Sequence, residues 1–215
     1  MLSSPLSVDA LEERLSQPSP GAIEALAAVE GDVLILGVGG KMGPTLARMA
    51  VRASHQAGIN RRVIAASRFS DGSLPARLQA WGVETIACDL LDEEAVAALP
   101  EAANVIFMTG MKFGASRNPA MTWAMNCYAP ALVCRRFRHS RMVAFSSGNV
   151  YPLVSLDSGG SKEADDPGPV GEYAITVLGR ERTFQYFSDS DQIPTASSHK
   201  QSTEIMIGHL SFLKQ

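Results

Sequence analysis

Short strand-like stretches fall at 33–36, which is a continuous apolar run, and at 62–68, 84–87, 104–110 and 142–145, separated by stretches in which apolar residues recur every three or four positions. A continuous apolar run suits a parallel strand buried on both faces, whereas three-to-four spacing suits a helix with one face against a core. Residues 44–57 show the second pattern clearly, with Leu46, Met49, Ala50 and Ala53 on one side and Gly58 as the stop. Further helices are predicted over 74–81, 93–99, 119–137 and from Tyr173 onward, with Trp123, Asn126, Ala129 and Val133 as candidate inner positions of the 119–137 helix. Strands alternating with helices predict an α/β fold, a doubly wound parallel sheet in three αβα layers. Ahead of it, residues 1–30 read as a helical extension, with Ser7 as N-cap before Leu11 and Leu15, and Pro20 opening a second helix. This extension is expected to make a packing or dimer contact. The sheet domain is expected over 31–187 and a polar tail over 188–215, where only 204–213 has a short apolar pattern and His199 and His209 are expected to be solvated.

Composition narrows the class. With 215 residues, 46% hydrophobic and 19% charged, the chain can bury one substantial core. A formal net charge of −3 offers no basic surface for nucleic acid, which is not expected as a partner. No apolar run is long enough to span a bilayer, and the N-terminus carries Asp9, Glu12 and Glu13 rather than a basic-then-apolar leader, so a cytoplasmic protein is expected. Cys88, Cys127 and Cys134 lack metal-ligand spacing and are expected to be reduced packing thiols, with no metal site.

The candidate chemistry begins after the first apolar run, at Gly37-Val-Gly39-Gly40-Lys41-Met42-Gly43. Gly37, Gly40 and Gly43 recur at three-residue spacing between a predicted strand and a predicted helix. Missing Cβ atoms there permit positive φ, close approach of a pyrophosphate to backbone N–H groups, and close packing of helix on strand. The helix N-terminus supplies partial positive charge for the phosphates. This context predicts a Rossmann-type, NAD(P)-binding fold.

The other strand ends fall on the same edge of the sheet, where ligands bind in folds of this class. Ser67 and Arg68 end the second strand; an arginine there accommodates a 2′-phosphate and favours NADP, while Asp71 keeps NAD open. Asp89, followed by Leu90, ends the third strand and is placed to accept from an adenine amino group, with Asp89 or Asp92 as an alternative cap for the next helix. Thr109 and Gly110 end the fourth strand, and Lys112 follows within reach of a phosphate. Ser146 and Ser147 end the fifth.

These residues resemble the extended short-chain dehydrogenase/reductases, specifically the NAD-dependent epimerase/dehydratase family, over about residues 31–187. The resemblance rests on the glycine turn, the Asp89-Leu90 pair, Phe145-Ser-Ser-Gly-Asn-Val-Tyr-Pro152, and Tyr173 opening a helix through Glu181. It implies hydride transfer at a hydroxyl-bearing carbon, often of a nucleotide sugar, with Tyr173 as general base and Ser147 positioning the substrate oxygen. It also implies a homodimer formed through the 119–137 and 173–187 helices. A free phenol has a pKa of about 10, so a tyrosine base needs a neighbouring cation. The family places a lysine four residues after the tyrosine, where this chain has Val177. Family members also continue into a substrate-binding lobe, which this chain is not expected to contain. Two functional expectations follow: an NAD(P)-dependent oxidoreductase or epimerase acting on an unidentified small molecule, and a non-catalytic NAD(P)-binding sensor or partner subunit.

Overall fold

A computed structural model describes residues 7–198. Its centre is β1 (Val33–Leu36), every residue of which is buried. Around it lie β2 (Val63–Ser67), β3 (Glu84–Ala87), β4 (Asn104–Phe107), β5 (Arg141–Phe145) and β6 (Thr195–Ser198). All pairings are parallel, in the order β3-β2-β1-β4-β5-β6. Ile35 of β1 sits between Ala65 of β2 and Ile106 of β4. Because the chain leaves β1 in one direction across the sheet and returns to β4 in the other, the carboxyl ends of β1 and β4 open a crevice between them.

The two faces of the sheet separate by the strand period of two. Val33 and Ile35 point into one core with Ala65, Ile106 and Val143, where α3 (Gly43–Gln56) contributes Leu46, Met49, Ala50 and Ala53. Leu34 and Leu36 point into the other with Ile64, Val105, Phe107 and Met142, covered by Val133 of α7 (Ala129–Arg136) and Phe184 of α8 (Glu172–Asp191). Short helices α4 (Leu74–Ala80) and α5 (Glu93–Ala97) complete the layers. This is the three-layer, doubly wound Rossmann-like arrangement that the apolar pattern predicts.

The N-terminal helices belong to the first core. In α2 (Pro20–Ala27), capped by Ser19, Ala22, Ala25 and Leu26 are buried beside α3. The preceding α1 (Val8–Leu15), capped by Ser7, buries nothing and is tied on by charge. The Glu13 carboxylate is held by two arginines of α3: Arg52 Nη2 donates to its two oxygens at 2.7 and 2.8 Å, and Arg48 Nη2 pairs with it at 2.6 Å. Arg61 reaches the Leu26 and Val29 carbonyls, each at 2.7 Å, and closes the extension against the sheet.

The long helix predicted over 119–137 forms in three parts: α6 (Pro119–Trp123), a π-helical turn (Ala124–Tyr128) and α7. Pro130 has no N–H to give the Asn126 carbonyl four residues back, and its ring crowds that carbonyl; a wider turn relieves both. Trp123 is not an inner residue. It is 44% exposed, its indole N–H donating to Glu172 at the surface. Two elements extend beyond the predicted domain end: α8 runs to Asp191, and Thr195–Ser198 adds β6 beside β5. His199, His209 and the 204–213 pattern lie outside the described residues.

Phe184 carries much of the second core, fully buried with its ring edge-on to Phe107 at 5.4 Å. Phe184→Ala is expected to cost about 3–5 kcal/mol, the range for a buried aromatic truncation. Denaturant unfolding checks this; a loss below about 1 kcal/mol would show that α8 is held elsewhere.

Candidate active site

The turn after β1 is shaped by what a side chain there would strike. Gly37 has φ +89°, and a Cβ on it would lie 2.8 Å from the Thr109 backbone nitrogen just beyond β4. A Cβ on Gly39 would lie 2.6 Å from Ser67 Oγ, and one on Gly43 would lie 2.6 Å from the Val38 carbonyl carbon. Gly40 is different, its nearest such neighbour being the Gly37 oxygen at 3.6 Å. The turn is therefore pressed onto the ends of β4 and β2, and α3 onto the turn. No side chain caps the N-terminus of α3, and Pro44 occupies its first turn. Its unpaired N–H groups can take an anion.

On one side of the turn, a cleft of about 400 Å³ is lined by Gly37, Gly39, Ser67, Arg68, Asp89, Leu90, Thr109 and Gly110. Arg68 is exposed at its mouth. Phe69, beside it, holds φ +48°, a conformation a bulky side chain adopts only under local constraint. Asp71 is engaged within its own loop: it accepts the Ser73 N–H at 3.0 Å and the Ser73 hydroxyl at 2.7 Å, bonds that hold its carboxyl below the usual range. The two downstream aspartates divide their work. Asp92 caps α5 by accepting from Glu94 and Ala95, while Asp89 accepts the Leu91 N–H at 3.1 Å and lines the cleft. Thr109 Oγ1 is buried under the turn with no hydrogen-bond partner among the described residues.

A second cleft of about 270 Å³ continues past the turn, lined by Gly40, Lys41, Met42, Gly110, Lys112, Ser146, Tyr173 and Arg180. Half-buried Tyr173 sits in the first turn of α8, and Lys112 Nζ lies 5.7 Å from its ring centroid. The two serines after β5 differ in position. Ser146 lines the cleft and donates to the Glu181 carboxylate. Ser147, only 2% exposed, caps the short 3₁₀ turn Gly148–Val150, accepting the Asn149 N–H and donating to Asn149 Oδ1 at 3.0 Å. A third cleft of about 600 Å³ opens beyond Tyr173, between Lys112, Phe113, Arg117, Asn149 and Glu172.

Two residues of this end escape sequence reasoning in part or whole. Arg180 is 4% exposed. Its terminal nitrogens donate to the Phe145 carbonyl at 2.9 Å and to Asn126 Oδ1 at 2.7 Å. Asn126, in the π-helical turn, also accepts the Met111 N–H and donates to Thr176 Oγ1. These bonds tie the ends of β4 and β5 to α8. Burial draws the Arg180 pKa down to about 10, which leaves it charged near neutral pH. The available signal was spacing: Arg180 lies seven residues after Tyr173, on the stripe shared by Val177 and Phe184. Val177 itself is fully buried.

Of the cysteines, Cys88 lines the first cleft beside Asp89, and Cys127 and Cys134 line none of the three. Cys88 and Cys134 are buried and Cys127 half-buried, all free, and burial pushes the Cys134 thiol up to about 12. Among the described residues, no cluster of His, Cys, Asp and Glu could hold a metal ion. None of their helices is long and apolar enough to cross a membrane.

The model of the NAD dependent epimerase/dehydratase family matches residues 33–199. The chain belongs to this family. No curated protein matches it in sequence. Among solved structures, it is similar to the dTDP-glucose 4,6-dehydratase DesIV from Streptomyces venezuelae with NAD and TYD bound, at TM-score 0.69 and 15% identity, covering 77% of this chain and 54% of that one. It is also similar to the UDP-Glc/GlcNAc 4-epimerase from Campylobacter jejuni, at TM-score 0.67 and 17% identity, covering 78% and 52%. A third is the UDP-glucuronic acid 4-epimerase from Bacillus cereus in complex with NAD, at TM-score 0.62 and 16% identity, covering 77% and 55%. The chain thus spans about half the length of these solved structures, and at such identities the likeness establishes the epimerase/dehydratase fold of the sheet domain.

Proposed function

We propose that this epimerase/dehydratase family member binds NAD(P) along the carboxyl edge of its sheet and takes part in hydride transfer at a hydroxyl-bearing carbon of a nucleotide-linked sugar. The observation that carries the proposal is the Gly37 turn pressed onto Thr109 at the β1/β4 crevice, with Tyr173 in the cleft that continues from it. The cradle fits a dinucleotide: Gly37 and Gly39 leave the turn's backbone bare against Thr109 and Ser67, where a Cβ would collide, and Thr109 Oγ1 has no hydrogen-bond partner among the described residues.

In this proposal the turn and the α3 N-terminus hold the pyrophosphate, with Lys41, Met42 and Lys112 beside it. Ser67, Arg68, Asp89 and Leu90 hold the adenosine end. When bound, the nicotinamide supplies the hydride acceptor or donor. Tyr173 takes the proton from the substrate hydroxyl, and Ser147 or its neighbour Ser146 orients that oxygen. The cleft beyond Tyr173, with Lys112 and Arg117 on its wall, suits a phosphate-bearing substrate. Incubation with UDP- and dTDP-hexoses, followed by nicotinamide absorbance and NMR of the sugar, tests this; nucleotide binding without conversion of any sugar would favour the sensor or partner-subunit role. Val177 is the observation on that side, since it removes the lysine the family uses beside its tyrosine.

Within this proposal NADP is favoured over NAD. Arg68 is exposed and lines the cleft, whereas Asp71 is engaged by Ser73. Arg68→Ala is expected to weaken NADPH roughly tenfold or more, the scale of a lost charge-assisted hydrogen bond, and to leave NADH within about twofold. Calorimetric titration of both cofactors reads the difference. Equal losses would remove Arg68 from 2′-phosphate recognition.

A further inference from the structure

The Arg180 guanidinium is a buried charge whose two hydrogen bonds both go to neutral oxygens, the Phe145 carbonyl and Asn126 Oδ1. Its Nε is buried with no hydrogen-bond partner among the described residues, and the Phe107 ring, its centroid 5.7 Å from Arg180 Cζ, is only a partial substitute. Removing a cation from water without a full set of acceptors is costly, and such a group persists where something else compensates it. The protein gives it a place on the cleft wall with Gly110, Ser146 and Tyr173. Gly110 has no side chain to separate them: a Cβ there would collide with the guanidinium and come within 3.2 Å of Asn126 Oδ1. The charge is also held rigidly, because Asn126 is fixed in turn by Met111 and Thr176, and Thr176 donates to the Tyr173 carbonyl. One helical turn nearer Tyr173, the same face carries only Val177.

We propose that Arg180 is the positioning residue for the nicotinamide half of the cofactor, its guanidinium supplying beside Tyr173 the fixed positive charge and donor that Val177 cannot. This rests on the NAD(P)-binding proposal above. It makes Asn126 and its π-helical turn the bracket that sets where the charge sits, and it assigns the bareness of Gly110 to seating the guanidinium on the cleft wall, where a Cβ would collide with it.

The test separates the nicotinamide riboside from the rest of the cofactor, because ADP carries the adenosine and the diphosphate and so engages the Arg68–Asp89 cleft and the glycine turn but leaves the Tyr173 side empty. Arg180→Gln is expected to weaken NADH roughly tenfold or more while leaving ADP within about twofold, as for loss of one charge-assisted bond at the far end. Arg180→Lys, which keeps the charge, is expected to recover most of the NADH affinity. Calorimetry supplies the affinities, and thermal melts of each variant check the fold. If Arg180→Gln does not fold, Arg180→Met takes its place, since an apolar side chain of similar volume is often tolerated where a buried ion is removed. Unchanged NADH affinity, parallel loss of NADH and ADP, or no recovery with lysine would each overturn the inference. Wild-type protein binding neither NADH nor ADP would overturn the cofactor proposal itself, and this one with it.

Discussion

Gly37→Ala is expected to abolish nucleotide binding, with a loss of about a hundredfold or more in NADH affinity. The added methyl meets two obstacles. The backbone at φ +89° lies in the region that L side chains disfavour by about 1–2 kcal/mol. The larger obstacle is the Thr109 backbone, 2.8 Å from the new carbon at its nitrogen and 2.9 Å at its Cα. Thr109 cannot retreat easily, because Met108 donates to the Leu36 carbonyl at 3.0 Å and so locks the end of β4 to the end of β1. Nor can Gly37, whose N–H is bonded to the Ala66 carbonyl at 2.8 Å. The turn must move outward into the crevice, where the phosphates are proposed to sit. A lower melting temperature should accompany the loss of binding, since either β1 or β4 gives way. Titration with NADH reads the effect, and a change below about threefold would show that the turn is structural only.

Tyr173→Phe carries the second large effect. Removing one hydroxyl deletes the proposed base while keeping the ring over which Lys112 lies. Turnover is expected to fall by about 10²–10⁴, the usual contribution of a positioned acid–base group, with NADH affinity within about twofold of the wild type. Steady-state rates and a parallel titration separate the two quantities. Turnover that survives the substitution would mean that another group moves the proton.

Much of the frame was legible because it depends on local rules. The β1 run, the glycine turn and the α3 periodicity each state their element within a few residues, and Asp92 caps α5 as its position before Glu93 suggests. Strand β2 came out shorter than the 62–68 run, since Arg62 turns outward to pair with Asp32 and Arg68 lies at the cleft mouth. What was not legible depends on long-range contact. Thr195–Ser198 has no apolar run, yet β5 offers it a free row of backbone partners, and pairing rather than burial makes it a strand. Ser146 and Ser147 are adjacent in sequence but face different partners, because the 3₁₀ turn after them recruits Ser147 as its cap. Arg180 shares its helix stripe with Val177 and Phe184, but a charged residue there shows its role only once Phe145, Gly110 and Asn126, from three other segments, enclose it.

The most direct test of the central claim is calorimetric titration of the purified wild-type chain with NADH and NADPH, with nicotinamide fluorescence as a second signal. One-to-one binding of at least one of them in the micromolar range is predicted, with NADPH the tighter ligand. No heat and no fluorescence change from either cofactor up to millimolar concentration would contradict the claim that this sheet edge holds a dinucleotide.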